Sequence, residues 1–494
     1  MKNYYIPTTI ALMGVSFAMA EQKPNILFIY ADDQCFESIY GGVDRVDTPN
    51  IDRLMAEGTS FMQAHNQGGW SAGVSVASRT MMATGSYLWR AAQMSPKSKF
   101  KVGGNNLPPQ QPIYEVVQKE RPTLWSELMH DAGYETYMAG KWHVDVNAKG
   151  LFDHLGHVRA GMPTQHQDCY DRVFDGVTED KWSPSNPEYG GFWAGGQHWN
   201  EVLKDETIGF LDNSKQSDKP FFMYIAFNAP HDPRQSPQEY IDRYPSDEIS
   251  IPESFCSVYP YADDIGMGAY LRDENIAPFP RNERSVQVNR QEYYALITYM
   301  DEKIGEILDH LEITGQADNT YIIFTSDHGI AIGDHGFMGK QNMYERSIRV
   351  PLIITGPNVT KGKQVEEFVY LQDIMPTALE IAGVESPDYV DYHSLLPMAT
   401  GKSRRSAYDY IYGAYLGVQR MVKSRDFKMI IYPNVNVVRL YDLRKDPNEL
   451  NDLASNPKYK KRLLSLFEEL KKLQIETCDP LDVTPYFEAF IETL

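Results

Sequence analysis

The stretch Asn25-Ile26-Leu27-Phe28-Ile29-Tyr30 follows Pro24 and is apolar almost throughout. A short apolar run of this kind is typical of a strand that is buried on both faces in a parallel sheet. The run is followed closely by Asp32 and Asp33. Open α/β sheets bind their ligands at the carboxyl ends of the strands, and two adjacent carboxylates placed there favour a divalent cation. The alternative for this acidic pair is a solvated turn.

Two further apolar runs repeat this pattern of a strand followed by residues capable of chemistry. Residues 221–226 form the first, and His231 follows it. Residues 321–324 form the second, and Asp327 and His328 follow after Thr325 and Ser326. The carboxyl ends of parallel strands meet at one edge of a sheet, so these side chains are candidates for a common site.

A fourth segment, through Tyr137 and Met138, leads to Lys141 and His143. Side chains two residues apart on an extended segment point the same way, so this pair can converge on one ligand. The alternatives are a surface lysine and a half-buried histidine.

The sequence from Ser75 to Gly85 places a hydroxyl group where a helix begins. Unpaired backbone N–H groups and the helix dipole favour an anion at that position. Arg79 lies one turn later on the same face and offers a bidentate fork to a tetrahedral oxyanion. Serine is also a common helix cap, which is the structural alternative.

Helical patterns alternate with the strands. Thr48 and Pro49 are the candidate cap and first residue of one helix, residues 123–133 form another, and residues 297–311 carry apolar side chains at three- and four-residue steps. The chain has 494 residues, of which 42% are hydrophobic, and can therefore bury a large core. Loop-like composition near 386–403 predicts two units, residues 21–400 and a smaller C-terminal subdomain, 401–494, with a small antiparallel sheet and a helix.

Residues 1–20 are typical of a secretory signal, with an apolar core and an Ala-Met-Ala cleavage site. We therefore expect a periplasmic or secreted protein, without a later membrane span. A net charge of −20 disfavours nucleic acid as a partner. The four cysteines lack C-x-x-C spacing, which argues against zinc or an iron–sulfur cluster and leaves disulfide pairing open.

Two long stretches lack regular periodicity. Residues 165–199 are rich in glycine and aromatic residues, which could stack on sugar rings or simply pack the loop. Residues 233–290 are rich in proline and tyrosine and are predicted to form a surface excursion that shapes substrate access.

Seven motifs occur in a fixed order along the chain. They are Asp32-Asp33, Thr48-Pro49-Asn50-Ile51-Asp52-Arg53-Leu54, Ser75-Val76-Ala77-Ser78-Arg79 with Thr84-Gly85, Gly140-Lys141-Trp142-His143, Pro230-His231, Ser326-Asp327-His328-Gly329 and Gly339-Lys340. Together they resemble the formylglycine-dependent type I sulfatases of the alkaline-phosphatase-like superfamily. The resemblance covers nearly all of the chain after residue 23. It implies a large, mixed, mostly parallel α/β sheet sandwiched by helices.

The resemblance also implies a modified residue and a metal. Ser75 stands in the family's Cys/Ser-x-Pro/Ala-x-Arg signature, here in the serine form with Ala77 in the proline position. It would be oxidised to formylglycine by a radical-type maturase that acts on serine. One Ca²⁺ would be held by Ser75 and by four further residues. These are Asp32, Asp33, Asp327 and His328, the last of which stands where many relatives carry asparagine.

The resemblance assigns roles to the remaining candidates. Arg79, Lys141 and Lys340 would supply positive charge to the sulfate and the modified residue. His143 would assist proton removal, and His231 with Lys340 would protonate the departing alcohol, since the unperturbed pKa of histidine near 6.5 suits both tasks.

The expected activity is that of a secreted sulfuric-ester hydrolase acting on a sulfated carbohydrate. Aryl or choline sulfates are alternative substrates. A phosphonate or phosphodiester hydrolase of the same superfamily, and a non-catalytic binder of anionic glycans, remain as alternative functions.

Overall fold

The computed structural model describes residues 23–41, 46–94, 101–102, 114–115 and 120–494. The predicted signal sequence, residues 1–20, lies outside these ranges. Within them, no helix combines the length and the apolar character that crossing a membrane requires. All four cysteines are unpaired.

The main sheet is organised around the strand Asn25–Ala31, which the opening stretch predicts. Thr320–Ser326 pairs with it in parallel on one side, and Phe221–Ala226 does so on the other. Glu135–Lys141 and the edge strand His154–Arg159 continue the sheet in the same direction. Because these strands are parallel, their carboxyl ends lie along one edge of the sheet.

Beyond Thr320–Ser326 the sheet becomes mixed. Leu352–Thr355 runs antiparallel to Thr320–Ser326 and to Thr59–His65. Arg349–Val350 is also antiparallel to Thr59–His65, whereas Lys363–Tyr370 is parallel to it. The predicted fold class, a large and mostly parallel α/β sheet, is confirmed.

The central strand is buried on both faces because helices cover both faces of the sheet. Leu27 and Ile29 enter one core and Ile26 and Phe28 the other, all with no exposed surface. Each such side chain contributes about 1.5–3 kcal/mol relative to an exposed one. The helices longer than one turn are Pro49–Glu57, Val74–Thr84, Leu88–Met94, Trp125–Asp131, Trp199–Ser214, Glu283–Ile313, Ile374–Ile381, Lys460–Glu476 and Thr484–Ile491 within the described ranges.

The helix Pro49–Glu57 begins where predicted, but its cap is different. The Thr48 side chain makes no capping hydrogen bond. The carboxylate of Asp301, from the long helix Glu283–Ile313, instead accepts hydrogen bonds from the backbone N–H groups of Asn50 and Ile51 at 3.1 and 2.8 Å. A cap from a distant helix leaves no local sequence signal.

A second sheet contains the C-terminal strands Ile411–Tyr415, Gln419–Lys423, Phe427–Tyr432 and Val437–Asp442, which follow one another in antiparallel pairs. Its fifth strand, Gly68–Gly69, comes from the N-terminal part and pairs in parallel with Ile411–Tyr415. The C-terminal residues therefore do not form this sheet alone, and a domain boundary at residue 400 stays a prediction.

Gly140 allows the strand that carries Lys141 to approach its neighbour. Its φ is +91°, and a Cβ there would lie 1.8 Å from the carbonyl oxygen of Ala226. Gly133 has a similar φ of +89°, but no atom of the described chain lies within 4 Å of the position that a Cβ would take. The two glycines therefore differ in the space around them and not in their backbone conformation.

We expect Gly133→Ala to lower the free energy of unfolding by about 1–2 kcal/mol through backbone strain alone. Gly140→Ala should lower it by more than about 3 kcal/mol, since the clash with Ala226 is added to the strain. Urea denaturation of the two variants measures the difference, and equal losses would contradict it.

Candidate active site

Two neighbouring strand ends bring four potential metal ligands together. Asp32 and Asp33 follow Asn25–Ala31, and Asp327 and His328 follow Thr320–Ser326. All four are buried, and one ligand atom from each lies within 4.8 Å of the others. The predicted convergence of these residues is therefore present in the structure.

The carboxylates of this cluster repel one another in a buried site. Burial, followed by the charge of Asp327, raises the pKa of Asp32 to about 8. Burial is also the main cause that raises the pKa of Asp33 to about 6, although Lys340 opposes it. Both carboxyl groups would gain from a nearby cation.

Two lysines supply part of that positive charge. The ammonium group of Lys141, at the end of Glu135–Lys141, donates a hydrogen bond to Asp32 at 2.5 Å. Lys340 donates to both oxygens of Asp33 at 2.8 and 2.7 Å. The lysines lower the pKa values of the two carboxyl groups by less than burial raises them, so both pKa values stay above the usual range.

The donor set fits a hard divalent cation. Three carboxylates provide oxygen ligands of the type that Ca²⁺ and Mg²⁺ prefer. The ring of His328 donates from Nδ1 to the carbonyl of Gly329 at 2.9 Å, which leaves the Nε2 lone pair free to act as an acceptor. That atom could be a fourth ligand.

Ser75 lies at the centre of these groups. It belongs to the first turn of the helix Val74–Thr84, whose cap residue is Gly73, so its hydroxyl group is not the helix cap. Ser75 Oγ lies 2.9 Å from His328 Nε2, 3.3 Å from Asp32 Oδ1 and 3.2 Å from Lys141 Nζ. The residue therefore touches both the candidate ligands and a cation.

Arg79 lies one turn later, as its spacing predicts, but it does not face open space. Its side chain is fully buried and donates to Asp327 Oδ2 at 3.0 Å and to the carbonyl of Lys141 at 2.8 Å. The guanidinium group, which was expected to bind an oxyanion, therefore makes its hydrogen bonds to other groups of the protein. In this structure Arg79 positions Asp327 and the end of the Lys141 strand.

A cavity of about 380 Å³ opens above Ser75. This volume lies near the lower end of the range for small-molecule sites, about 300–1,000 Å³. Its lining within the described part of the chain is Ala72, Gly73, Ser75, His143, Ala160, Gly161, Met162, His231, Leu271, Arg272, Asp273, Lys340 and Gln341.

His231 and Lys340 form one polar side of this cavity. His231 Nδ1 donates to the carbonyl of Asp232 at 2.7 Å, and Nε2 lies 3.1 Å from Lys340 Nζ. Burial and the charge of Lys340 hold the pKa of His231 well below its usual range. Its Nε2 atom accepts a hydrogen bond from the ammonium group.

His143 lines the same cavity but not for the predicted reason. The strand ends at Lys141, and His143 adopts a left-handed conformation with φ of +49°. Its Nδ1 atom is buried without a hydrogen-bond partner. The interpretation that Lys141 and His143 share one extended segment is therefore wrong, because the strand ends at Lys141 and the backbone at His143 is left-handed.

The sequence reasoning missed Arg272, Asp273, Gln341 and Met162 as cavity residues. Arg272 and Asp273 lie in the irregular stretch 233–290. The sequence indicated only that this stretch shapes substrate access, not which of its residues line the cavity. Burial opposes the charged form of Asp273, but Arg272 and Lys340 outweigh burial and hold its pKa well below the usual range.

The aromatic residues of 165–199 do not line the cavity. Trp182 is buried and stacks on Tyr189 with ring centroids 5.0 Å apart, and Phe192 is fully buried. Trp199 packs against the guanidinium group of Arg159. Packing within the protein therefore accounts for Trp182, Phe192 and Trp199.

Two family models match the chain. The model described as Sulfatase matches residues 24–384, and the model described as N-sulphoglucosamine sulphohydrolase, C-terminal, matches residues 333–476. The first match includes every candidate catalytic and metal-binding residue.

Individual proteins and structures agree with the family models. The N-acetylglucosamine-6-O-sulfatase of Bacteroides thetaiotaomicron is 28% identical, over 96% of this chain and 92% of its own. The arylsulfatase of Clostridium perfringens is 30% identical, over 92% and 94%. A solved structure of a protein in complex with its substrate D-glucosamine-2-N,6-O-disulfate superposes with a TM-score of 0.70 at 23% identity, covering 94% of this chain and 100% of that one.

Proposed function

Because the chain belongs to the sulfatase family and is a sulfuric ester hydrolase, we propose that it releases sulfate from a sulfated carbohydrate, using a formylglycine made from Ser75 and one Ca²⁺. The observation that carries the proposal is the position of Ser75 between the carboxylate cluster and Lys141. The carbohydrate part is supported by the relative that acts on N-acetylglucosamine 6-O-sulfate.

Oxidation of the Ser75 CH₂OH group to an aldehyde removes two hydrogens, which a serine-type radical maturase would accept. Ser75 is only 3% exposed in the folded chain. A macromolecular partner cannot reach so buried a hydroxyl group, so modification would precede folding. Ala77 and Arg79, the other signature positions, are fully buried as well.

The modified residue would supply a hydroxyl nucleophile, in its hydrated form, and a route to release sulfate by returning to the aldehyde. The protein groups around it serve that chemistry. Lys141 Nζ, 3.2 Å from Ser75 Oγ, stabilises negative charge that develops on the nucleophile. His143, with an unpartnered ring nitrogen at the cavity wall, is the proposed acceptor of its proton.

Asp32, Asp33, Asp327 and His328, with residue 75, would hold the Ca²⁺. When bound, the ion would supply Lewis-acid stabilisation of the sulfate oxygens. Arg79 keeps Asp327 oriented toward that position through its 3.0 Å hydrogen bond. Lys340 screens Asp33 on the cavity side.

The departing alcohol needs a proton. His231 lines the cavity, and its Nε2 atom accepts a hydrogen bond from Lys340, so a proton passed to the bridging oxygen through His231 would come from that ammonium group. The carbonyl of Asp232 fixes the ring through Nδ1. His231 and Lys340 together form the general acid.

We expect His231→Ala to lower kcat for sugar sulfates by about 100- to 10,000-fold, the usual contribution of general acid–base catalysis. The loss should be smaller for 4-nitrophenyl sulfate, whose leaving group departs without a proton. Steady-state kinetics on both substrates measure the two factors. His130→Ala is the control, since that side chain is 54% exposed. Equal losses on both substrates would remove His231 from the role of acid.

The reaction class is tested with parallel aryl sulfate and aryl phosphate esters and a panel of defined sulfated oligosaccharides. Sulfate esters should be cleaved far faster than phosphate esters. Preferred cleavage of the phosphate or phosphonate would favour the alternative hydrolase, and binding without turnover by verified formylglycine protein would favour a glycan-binding function. A periplasmic or secreted location is part of the proposal and is tested by cell fractionation.

A further inference from the structure

One wall of the catalytic cavity has no role in holding the metal or cleaving the ester. It is formed by Arg272 and Asp273, which begin the 3-10 helix Arg272–Ile276, together with Met162 and Gln341. A substrate whose sulfate group reaches Ser75 must place the rest of its structure against the remaining cavity lining. The chemistry of this wall therefore bears on which sugar is accepted.

The guanidinium group of Arg272 has strong acceptors on one edge and only a weak acceptor on the other. Its Nε atom donates to Asp273 Oδ1 at 2.9 Å, and one terminal nitrogen donates to the same oxygen and lies 3.7 Å from Asp232 Oδ1. The other terminal nitrogen contacts the sulfur atom of Met162, a weak acceptor. The side chain is 35% exposed, so an oxygen atom of a ligand could take the place of that sulfur contact.

Asp273 is held rigidly beside this edge. Its Oδ2 atom accepts a hydrogen bond from Gln341 Nε2 at 2.7 Å, and Gln341 Nε2 also donates to the carbonyl of Ala72 at 3.1 Å. The side-chain oxygen of Gln341 accepts from the backbone N–H of Lys340 at 2.9 Å. A carboxylate oxygen can accept more than one hydrogen bond, so Asp273 retains acceptor capacity for a ligand.

The charge balance of this wall disfavours a second anion. Arg272 faces two carboxylates, Asp232 and Asp273. Lys340 lies 3.9 Å from Asp273 but donates hydrogen bonds to both oxygens of Asp33, so these five side chains carry two positive and three negative charges. A second sulfate or a carboxylate placed here would meet a net negative charge. A hydroxyl group fits better, since it can accept from the guanidinium group and donate to a carboxylate oxygen at the same time.

We propose that Arg272 and Asp273 determine specificity by binding a free hydroxyl group of the sugar beside the scissile ester, so that the enzyme selects sugars whose adjacent positions carry no second negative charge. This inference rests on the proposed carbohydrate sulfatase function. It adds the chemical class of the sugar. A hydrogen bond to a charged partner in a partly enclosed site corresponds to a discrimination of about 10- to 100-fold.

The test uses monosulfated monosaccharides that differ in sulfate position. Each is compared with a counterpart that carries a second sulfate on an adjacent position and with an analogue that lacks the adjacent hydroxyl group. The aryl ester 4-nitrophenyl sulfate completes the panel. For the best monosulfated sugar, we expect kcat/KM of the wild type to exceed that of both altered sugars by at least about 10-fold. A preference for the doubly sulfated sugar, indifference to the hydroxyl group, or cleavage of the aryl ester with no sugar cleaved would each overturn the inference. Failure to cleave even the aryl ester would instead overturn the proposed function.

Variants separate recognition from a general disturbance of the site. Asp273→Asn removes one negative charge while keeping an oxygen acceptor for Arg272, and Arg272→Gln removes the fork. Both should lower kcat/KM for the monosulfated sugar by a larger factor than for 4-nitrophenyl sulfate, and Asp273→Asn should also reduce the penalty on the doubly sulfated sugar. The exposed Asp247 provides the control substitution Asp247→Asn. Equal losses on sugar and aryl substrates would assign both residues to positioning Lys340 and contradict the proposal.

Discussion

Ser75→Ala is expected to lower sulfatase activity by at least about 100,000-fold, close to the loss seen when a nucleophile is removed from other hydrolases. Alanine cannot be oxidised to an aldehyde and offers no oxygen to sulfur. The folded state should change little, because Ser75 Oγ contributes a few hydrogen bonds at a cluster that other groups already hold. Turnover of 4-nitrophenyl sulfate, with the product quantified over long incubations, measures the loss.

Ser71→Ala is the matched control for this substitution. Ser71 lies four residues earlier, and its hydroxyl group donates to the carbonyl of Gly73 in its own turn. Its activity should stay within about twofold of wild type, as expected for a substitution away from special features. Activity of Ser75→Ala within tenfold of wild type would show that another residue attacks sulfur.

Asp33→Asn is expected to lower activity by at least about 1,000-fold, since metal-derived charge stabilisation amounts to several kcal/mol. The substitution keeps the shape of the side chain but removes a ligand charge and the counter-ion of Lys340. In the wild type, chelation should abolish activity and added Ca²⁺ should restore it. Ca²⁺ should also raise the Tm of wild-type protein, because a ligand that binds only the folded state stabilises it.

The control for this effect is Asp301→Asn, which alters an equally buried carboxylate far along the chain. Asp301 caps the helix Pro49–Glu57 and lies outside the cavity lining. We expect it to lose about 0.5–2 kcal/mol of stability, the usual value of a cap, while its Ca²⁺-dependent rise in Tm persists. A Ca²⁺-dependent Tm rise that also persists in Asp33→Asn would place the ion elsewhere.

The sequence could predict the position of those candidate site residues that lie directly after a strand. The apolar runs near residues 25, 221 and 321 predicted three parallel strands, and the polar residues after them meet at one edge because parallel strands share a direction. The approximate ends of these three strands could also be predicted, because glycine and proline residues occur close to each apolar run.

What the sequence could not predict depends on contacts between distant segments. Asp301 replaces Thr48 as a helix cap, and Gly68–Gly69 completes a sheet otherwise built from residues 411–442. Arg79 was expected to face the substrate, but its side chain is oriented toward Asp327, to which it donates a hydrogen bond. Such pairings join residues up to several hundred positions apart and leave no local periodicity.

Arg272 and Asp273 were missed for a related reason. They lie in a long stretch with no regular pattern, where neither helical nor strand periodicity indicates which side chains turn inward. Their position follows from contacts with Gln341 and Lys340, which are close in space and about 70 residues away along the chain. Only the general expectation that this stretch shapes access pointed toward them.

The most direct test of the formylglycine mechanism is the mass of the peptide that contains residue 75, taken from protein made in a host that has the serine-type maturase. We predict a peptide lighter than the encoded sequence by two hydrogens, with the loss located at residue 75, and unmodified, nearly inactive protein from a host without that maturase. Full sulfatase activity from protein in which residue 75 is intact serine would contradict this mechanism.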